Sequence, residues 1–250
     1  MIVLKTEREL KIMRDAGRVA ATALKLAGAA VEPGVSTWEI DRVARRYIEG
    51  QGAKPTFLGY GGYPATACVS VNNVVIHGIP SKKKIVKEGD IVSIDVGATY
   101  EGFVGDNAYT FPCGKVGPEA QCLMDTTREA LAAGIKAAVP GARLGDVGSA
   151  VQRYAEARGY SVVRDYVGHG VGARMHEDPS VPNYGTPGRG VRLLPGMTIA
   201  IEPMVNQGTA EVRTLADGWT TVTADGKLSA HFENSIAITP GGPVILTNAD

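Results

Sequence analysis

Residues 91–111 read IVSIDVGATYEGFVGDNAYTF, and this stretch decides the fold. Val92, Ile94 and Val96 alternate with Ser93, Asp95 and Gly97, the period of two of a β-strand laid on an apolar core. A break is expected over residues 98–102, followed by a second, short strand through Asp106. Side by side, the two strands would carry Asp95 and Asp106 inward together. Burying an unpaired charge costs several kcal/mol, a large share of the roughly 5–15 kcal/mol by which a domain is stable. A cation is the expected partner. One Asp in a strand is more often a turn or edge residue; the rest of the chain reverses that reading.

Outward from this hairpin the chain repeats an order of two helices followed by strands. Thr6 with Glu9 forms a capping box that opens a helix through about residue 30, with Leu10, Met13, Val19, Ala20, Ala23, Leu24 and Ala27 on its apolar face. Ser36 with Glu39 opens a second helix to about residue 52, its inner stripe being Ile40, Val43, Ala44, Tyr47 and Ile48. Strands are expected at 67–71 and 74–77. Gly117-Pro118 starts a third helix through about residue 139, and a fourth covers 144–158. Strands near 161–166, 197–202 and 232–239 follow. The second half echoes the first at an offset of 107 residues: Pro33-Gly34 with Pro140-Gly141, Tyr47 with Tyr154, Gly89 with Gly196, Asp95 with Glu202. One offset held across helix and strand reads as a duplication, hence one domain over 1–250 with pseudo-repeats of about 1–115 and 116–250.

Composition bounds the function. Twenty-six basic and 26 acidic side chains cancel, so no global field favours nucleic acid or an anionic membrane. Cys68, Cys113 and Cys122 show no paired spacing, which fits reduced thiols better than a disulfide framework. The start, MIVLKTEREL, has no signal-peptide apolar core, and no stretch reaches the length of a membrane span. A cytoplasmic protein is expected.

The anomaly at Asp95 recurs. Glu202, in AIEPMV, and Glu233, in HFENSIAIT, are further carboxylates in apolar strands. His169 sits in GHGVG, where flanking glycines leave room for another group beside the imidazole. Together Asp95, Asp106, His169, Glu202 and Glu233 supply four carboxylates and one imidazole. Such an oxygen-rich set suits two divalent ions bridged by carboxylates, which can share a water and polarise a carbonyl. His77 and His176 remain free to hydrogen-bond substrate.

The runs SVNNVVIHGIP, GDIVSIDVG, GFVGD, GHGVG, MHEDP, LLPGMTIAIEPM and the FEN segment occur in order. In these the chain resembles the type I methionine aminopeptidases of the pita-bread fold, from about residue 5 onward. The resemblance implies an α+β fold of two pseudo-twofold related halves around a curved antiparallel sheet. It implies removal of the initiator methionine from nascent chains with a small second residue, by attack of a di-metal-bound water on the scissile carbonyl. Asp95, Asp106, His169, Glu202 and Glu233 fall at the family's metal ligands, with Asp106 and Glu233 as the bridging pair and Mn, Fe, Co or Zn as the ions. Glu202 falls at the acid/base, His176 at the donor to the carbonyl and His77 at the group steadying the amide nitrogen. Phe57, Tyr60, Tyr63, Cys68 and Trp219 correspond to the methionine pocket, and Met175 stands where relatives often carry phenylalanine. Asn72, Val74 and Ser229 match a backbone site for Na or K. The implied partners are peptide N-termini, with a transient ribosome contact; Lys82, Lys83 and Lys84 read as a solvated loop placed to help dock nascent peptides, and a monomer is expected. His231 lies outside the family's catalytic set and reads as a structural or supporting group.

Overall fold

The computed structural model describes residues 1–249; the domain boundary expected at 250 lies outside the described residues. The first half runs α1 (Glu7–Ala29), α2 (Thr37–Gly50), β1 (Lys54–Pro55), β2 (Ala67–Val71), β3 (Val74–Ile76), β4 (Ile91–Tyr100) and β5 (Phe103–Pro112). The second opens with α3 (Pro118–Ala137) and α4 (Leu144–Glu156), followed by β6 (Ser161–Val162), β7 (Gly168–Gly170), β8 (Glu177–Val181) and β9 (Thr198–Ile201). It continues through β10 (Met204–Asn206), β11 (Val212–Thr214), β12 (Thr221–Thr223), β13 (Ser229–His231), β14 (Glu233–Thr239) and β15 (Gly242–Ile245).

Both expected capping boxes close. The Thr6 and Ser36 hydroxyls each accept the N–H three residues on, and Glu9 and Glu39 accept the N–H of the capping residue in return. These bonds satisfy donors that every helix start leaves unpaired. The expected inner faces of α1 and α2 are buried except Leu10, Val43 and Tyr47, which are partly exposed at the edges.

The central hairpin differs from its expected form. No break falls at 98–102: β4 continues to Tyr100 and β5 extends to Pro112, the strands pairing at every position from Ile91↔Pro112 to Tyr100↔Phe103. Only Glu101 and Gly102 form the turn, with φ of +46° and +81°. A two-residue turn with two positive φ values matches the strands' own twist and needs no longer loop.

A nine-stranded, wholly antiparallel sheet runs β1-β4-β5-β14-β9-β7-β8, with β2 also on β4 and β15 also on β14. Val92, Ile94 and Val96 join one core with α1 and α2. Ile199, Ile201, Ile236 and Ile238 join another with α3 and α4. Each helix pair thus covers its own half of the sheet, leaving the opposite face for the polar residues. Backbone bonds around the helix starts also recur 107 residues apart. Gly34 N–H to Val86 O, Val86 N–H to Val35 O and Thr37 N–H to Lys84 O have counterparts at 141→193, 193→142 and 144→191.

The halves meet at β5 and β14, which pair at only two positions, Glu233↔Ala108 and Asn234↔Asn107. Two hydroxyls extend this short seam. Ser235 Oγ donates to the Asp106 carbonyl (2.9 Å) and accepts the Asp106 N–H (3.2 Å). Thr110 Oγ1 does the same with His231, at 2.9 Å both ways.

Candidate metal centre and pocket

The five candidate ligands converge at this seam. Asp106 lies opposite Gly97, two residues beyond Asp95 in β4, so both acids project from the same face of the hairpin. Glu233 is the first residue of β14, and Glu202 stands between the end of β9 and Pro203. The Glu202 carbonyl accepts from Asn183 Nδ2 (3.0 Å), which fixes its backbone. His169 is the centre of β7. Its flanking glycines serve a purpose other than the one expected. A Cβ on Gly168 would lie 2.3 Å from the Ala200 carbonyl oxygen, and one on Gly170 would lie 2.1 Å from that of Asp178. The glycines admit neighbouring backbone on both sides of the strand, and the imidazole is set by that packing.

His169 Nδ1 is 2.9 Å from the Gly170 carbonyl, an N–H donation that leaves Nε2 turned to the acids. Nε2 is 3.5 Å from both Asp106 Oδ2 and Glu202 Oε1. Donor atoms of Asp106, His169 and Glu233 lie within 4.8 Å of one another, as do those of Glu202, His231 and Glu233. Glu233 belongs to both groups. Asp95 completes neither triple but lines the same cavity.

All four carboxylates are buried, and Asp95 Oδ1, Asp106 Oδ1 and Glu233 Oε1 have no hydrogen-bond partner. Burial pushes Asp95 and Glu233 well above the carboxylate range, reinforced by the Asp106 charge. It pushes Glu202 up to about 8, with His169 opposing and Asp106 adding to the rise. Burial alone would pull His169 down, but its hydrogen bond to Asp106 and the charges of Glu202 and Asp106 bring it to about 9. Buried, orphaned carboxylate oxygens around one imidazole nitrogen are what a site for divalent cations requires, so the residues present fit such ions.

The same cavity, of about 220 Å³, is lined by every residue expected of the methionine pocket: Phe57, Tyr60, Tyr63, Cys68, Met175 and Trp219, with His77 and His176. Asp41, buried in α2, accepts the N–H groups of Thr66 and Ala67 (2.9 Å each) and so seats the strand that carries Cys68. The Tyr63 hydroxyl sits on the Gly78 carbonyl (3.0 Å), and its ring meets Trp219 edge-on at 5.1 Å. Burial raises both the Tyr63 hydroxyl and the Cys68 thiol, which keeps them neutral.

His176 meets His169 edge-on at 4.3 Å, and its Nδ1 is 2.7 Å from the Tyr60 hydroxyl. Burial and then the His169 charge lower it. His77 follows β3 in a left-handed conformation (φ +59°), a strain that residues other than glycine adopt where the surrounding fold imposes it. Burial, with His176 adding, takes it down to about 4, so the ring is neutral at ordinary pH.

Some groups escaped the sequence. Tyr166 and Ile76 also line the cavity, Tyr166 standing edge-on to His77 at 5.5 Å with its hydroxyl 2.8 Å from Thr221 Oγ1. Its place three residues before His169 was the available signal. His231 is buried with Nε2 unpartnered and 3.9 Å from Glu233 Oε2. Of the residues expected at a monovalent ion, Asn72 and Ser229 touch, the Ser229 N–H donating to the Asn72 carbonyl at 2.9 Å. Val74 begins β3, which lies against β13.

Comparison with known proteins agrees with this geometry. The sequence model of metallopeptidase family M24 matches residues 11–240. A methionine aminopeptidase of Clostridium perfringens is 53% identical, and one of Bacillus subtilis 51%, each alignment covering 99% of both chains. The crystal structure of a methionine aminopeptidase from Thermotoga maritima shares 49% identity and superposes with a TM-score of 0.98 over 99% of this chain and 100% of that one. A prolidase from Pyrococcus horikoshii, at 24% identity, shares the fold with a TM-score of 0.79, over 100% of this chain and 65% of its own. The α+β, pita-bread architecture expected from the sequence is the one these proteins share. A chain matched by the family model over most of its length, and by such relatives from end to end, belongs to metallopeptidase family M24.

Proposed function

We propose that this protein is a metal-dependent aminopeptidase that removes methionine from the N-terminus of nascent chains whose second residue is small. One observation carries the reading: the apolar pocket of aromatic rings, Cys68 and Met175 and the cluster of orphaned carboxylates open into a single cavity. A thioether side chain is apolar and polarizable, and rings and a neutral thiol suit it.

Asp95, Asp106, His169, Glu202 and Glu233 would hold two divalent ions, of Mn, Fe, Co or Zn. Such ions supply Lewis-acid polarisation of a carbonyl and a water of lowered pKa. The chain's own groups do the rest. Glu202, buried in the wall of the same cavity, is the acid/base group that takes a proton and returns it to the leaving amine. His176, held through Nδ1 by Tyr60, turns its other nitrogen to the scissile carbonyl oxygen and stabilises charge there. His77, neutral and braced between Trp219 and Tyr166, steadies the amide nitrogen. Trp219, Tyr63 and Phe57 exclude water around the methionine side chain.

Several further features belong to the same reading. The two halves are pseudo-repeats of one duplicated unit, a view favoured by the backbone bonds that recur 107 residues apart. A sodium or potassium ion would sit among backbone oxygens near Asn72, Val74 and Ser229. No helix among the described residues is long and apolar enough to cross a membrane, and a cytoplasmic monomer is proposed. Lys82, Lys83 and Lys84 are exposed and available to dock nascent peptides, and a transient ribosome contact is part of the same proposal.

The test is hydrolysis by metal-stripped protein titrated with Mn(II), Fe(II) or Co(II). Metal-restored release of methionine from Met-Ala-Ser, with Leu-Ala-Ser untouched, is the expected result. Preference for Xaa-Pro peptides whatever the first side chain would contradict it.

A further inference from the structure

We propose that Lys5 and Glu177 are a buried positioning pair that holds the turn at 172–177, and with it His176, against the cavity. The proposal rests on the reading of His176 as a group that contacts substrate. Lys5 Nζ lies 2.6 Å from Glu177 Oε2, and the two side chains are only 4% and 7% exposed. Lysine is rarely this buried, and a pair removed from water can keep its charges only by staying together.

Each partner is tied to the structure by a second bond. Lys5 N–H donates to the Gly196 carbonyl (2.7 Å), and its ammonium also donates to the Val3 carbonyl (3.1 Å). The other oxygen of Glu177, Oε1, accepts the Arg174 N–H at 3.1 Å and so closes a turn across Met175 and His176. The loop leaving His169 is seated from the other side, where the Gly172 carbonyl accepts the Val104 N–H at 2.8 Å. A Cβ on Gly172 would lie 2.5 Å from Lys5 Cε and 2.6 Å from Glu177 Oε1, so the ion pair rests directly on that loop.

His176 is therefore constrained twice, through its ring by Tyr60 and through its backbone by Glu177. Glu177 in turn is oriented by a residue that precedes α1. Without the Lys5 ammonium, the Glu177 carboxylate is a buried charge without its counter-ion. Its way out is to swing toward water, which releases the Arg174 N–H and loosens the turn. A displacement of His176 by about 1 Å is enough to cost a substantial factor in rate.

Steady-state kinetics of the metal-loaded full chain on Met-Ala-Ser test this. Lys5→Met is expected to lower kcat about tenfold, with KM within about twofold and metal content unchanged. Lys5→Arg keeps the charge and restores most of the rate. In a His176→Ala background, Lys5→Met is expected to cause no further loss, because the group it positions is gone. Glu177→Gln provides the same cycle if Lys5→Met does not fold. Losses that multiply in the double variants, or unchanged kcat in the single ones, would overturn the proposal. His176→Ala alone separates the two readings. Full activity there removes the substrate role of His176, whereas a large loss combined with multiplying effects removes only the positioning role.

Discussion

The two halves of the sheet deliver their share of the site by different means. The first half carries Asp95 and Asp106 on one long hairpin, paired from end to end. The second half supplies His169 from a three-residue strand, Glu202 from the gap beyond a four-residue strand, and Glu233 from the first position of a seven-residue one. In a continuous ladder each residue is held by many neighbours, so no single contact matters much. At a strand end, one bond does that work: Asn183 on Glu202 and the Gly170 carbonyl on His169. The difference predicts where remote substitutions will damage the metal site.

The largest effect falls equally on both halves, because both give candidate ligands. Glu202→Gln and Asp95→Asn are each expected to lower kcat by about 10²–10⁴-fold on Met-Ala-Ser. A near-normal rate for either would detach that half from the site. The next effect separates the halves. Asn183→Ala removes the side-chain bond that fixes the Glu202 backbone and is expected to weaken Mn(II) binding by about 10–100-fold in calorimetric titration. Ser93→Ala removes a buried side-chain bond from the hairpin, where Ser93 Oγ lies 2.8 Å from Thr110 Oγ1. It is expected to change Mn(II) affinity by less than about threefold. Equal losses would break the comparison.

A smaller, collective effect is the pH dependence of the metal-free protein. Glu202, raised from 4.5 to about 8, and His169, raised from 6.5 to about 9, keep protons in the folded state that the unfolded chain has released. His77 and His231, lowered from 6.5 to about 4 and about 3, work in the opposite sense, but only below pH 6.5. Between pH 6.5 and 8, stability of the metal-free protein should therefore fall as pH rises, by roughly 5 °C in melting temperature. Bound Mn(II) should flatten that slope, since the ions replace the lost protons as partners of the carboxylates. A melting temperature that rises over this window would show that the acids are already ionised in the folded protein. The smallest expected effect is at the pocket wall. Met175→Phe is expected to change KM for Met-Ala-Ser by less than about threefold, because an apolar group of similar size replaces another.

The same contrast explains what could be read in the sequence. Alternation through Val92, Ile94 and Val96 exposed β4 and the odd placement of Asp95, and the capping boxes at Thr6 and Ser36 exposed α1 and α2. Period and capping are local signals. The continuation of β4 to Tyr100 is not legible locally, because Ala98-Thr99-Tyr100 ahead of Gly102 resembles a loop, whereas the turn needs only Glu101 and Gly102. The strand expected over 161–166 proved to be two residues, Ser161–Val162, since its pairing with β10 ends there. Four of the five candidate ligands were legible as carboxylates out of place in apolar runs. What seats the groups around the cavity was not. Ser235 meets Asp106, and Lys5 meets Glu177, across 129 and 172 residues of sequence, and no periodicity encodes such contacts.

The most direct test of the central claim, that the two halves assemble one centre around shared carboxylates, is electron paramagnetic resonance of the protein loaded with two equivalents of Mn(II). Exchange-coupled signals are expected, which collapse to those of isolated ions in Asp106→Ala. A spectrum of isolated Mn(II) at two equivalents in the wild-type protein would contradict the account.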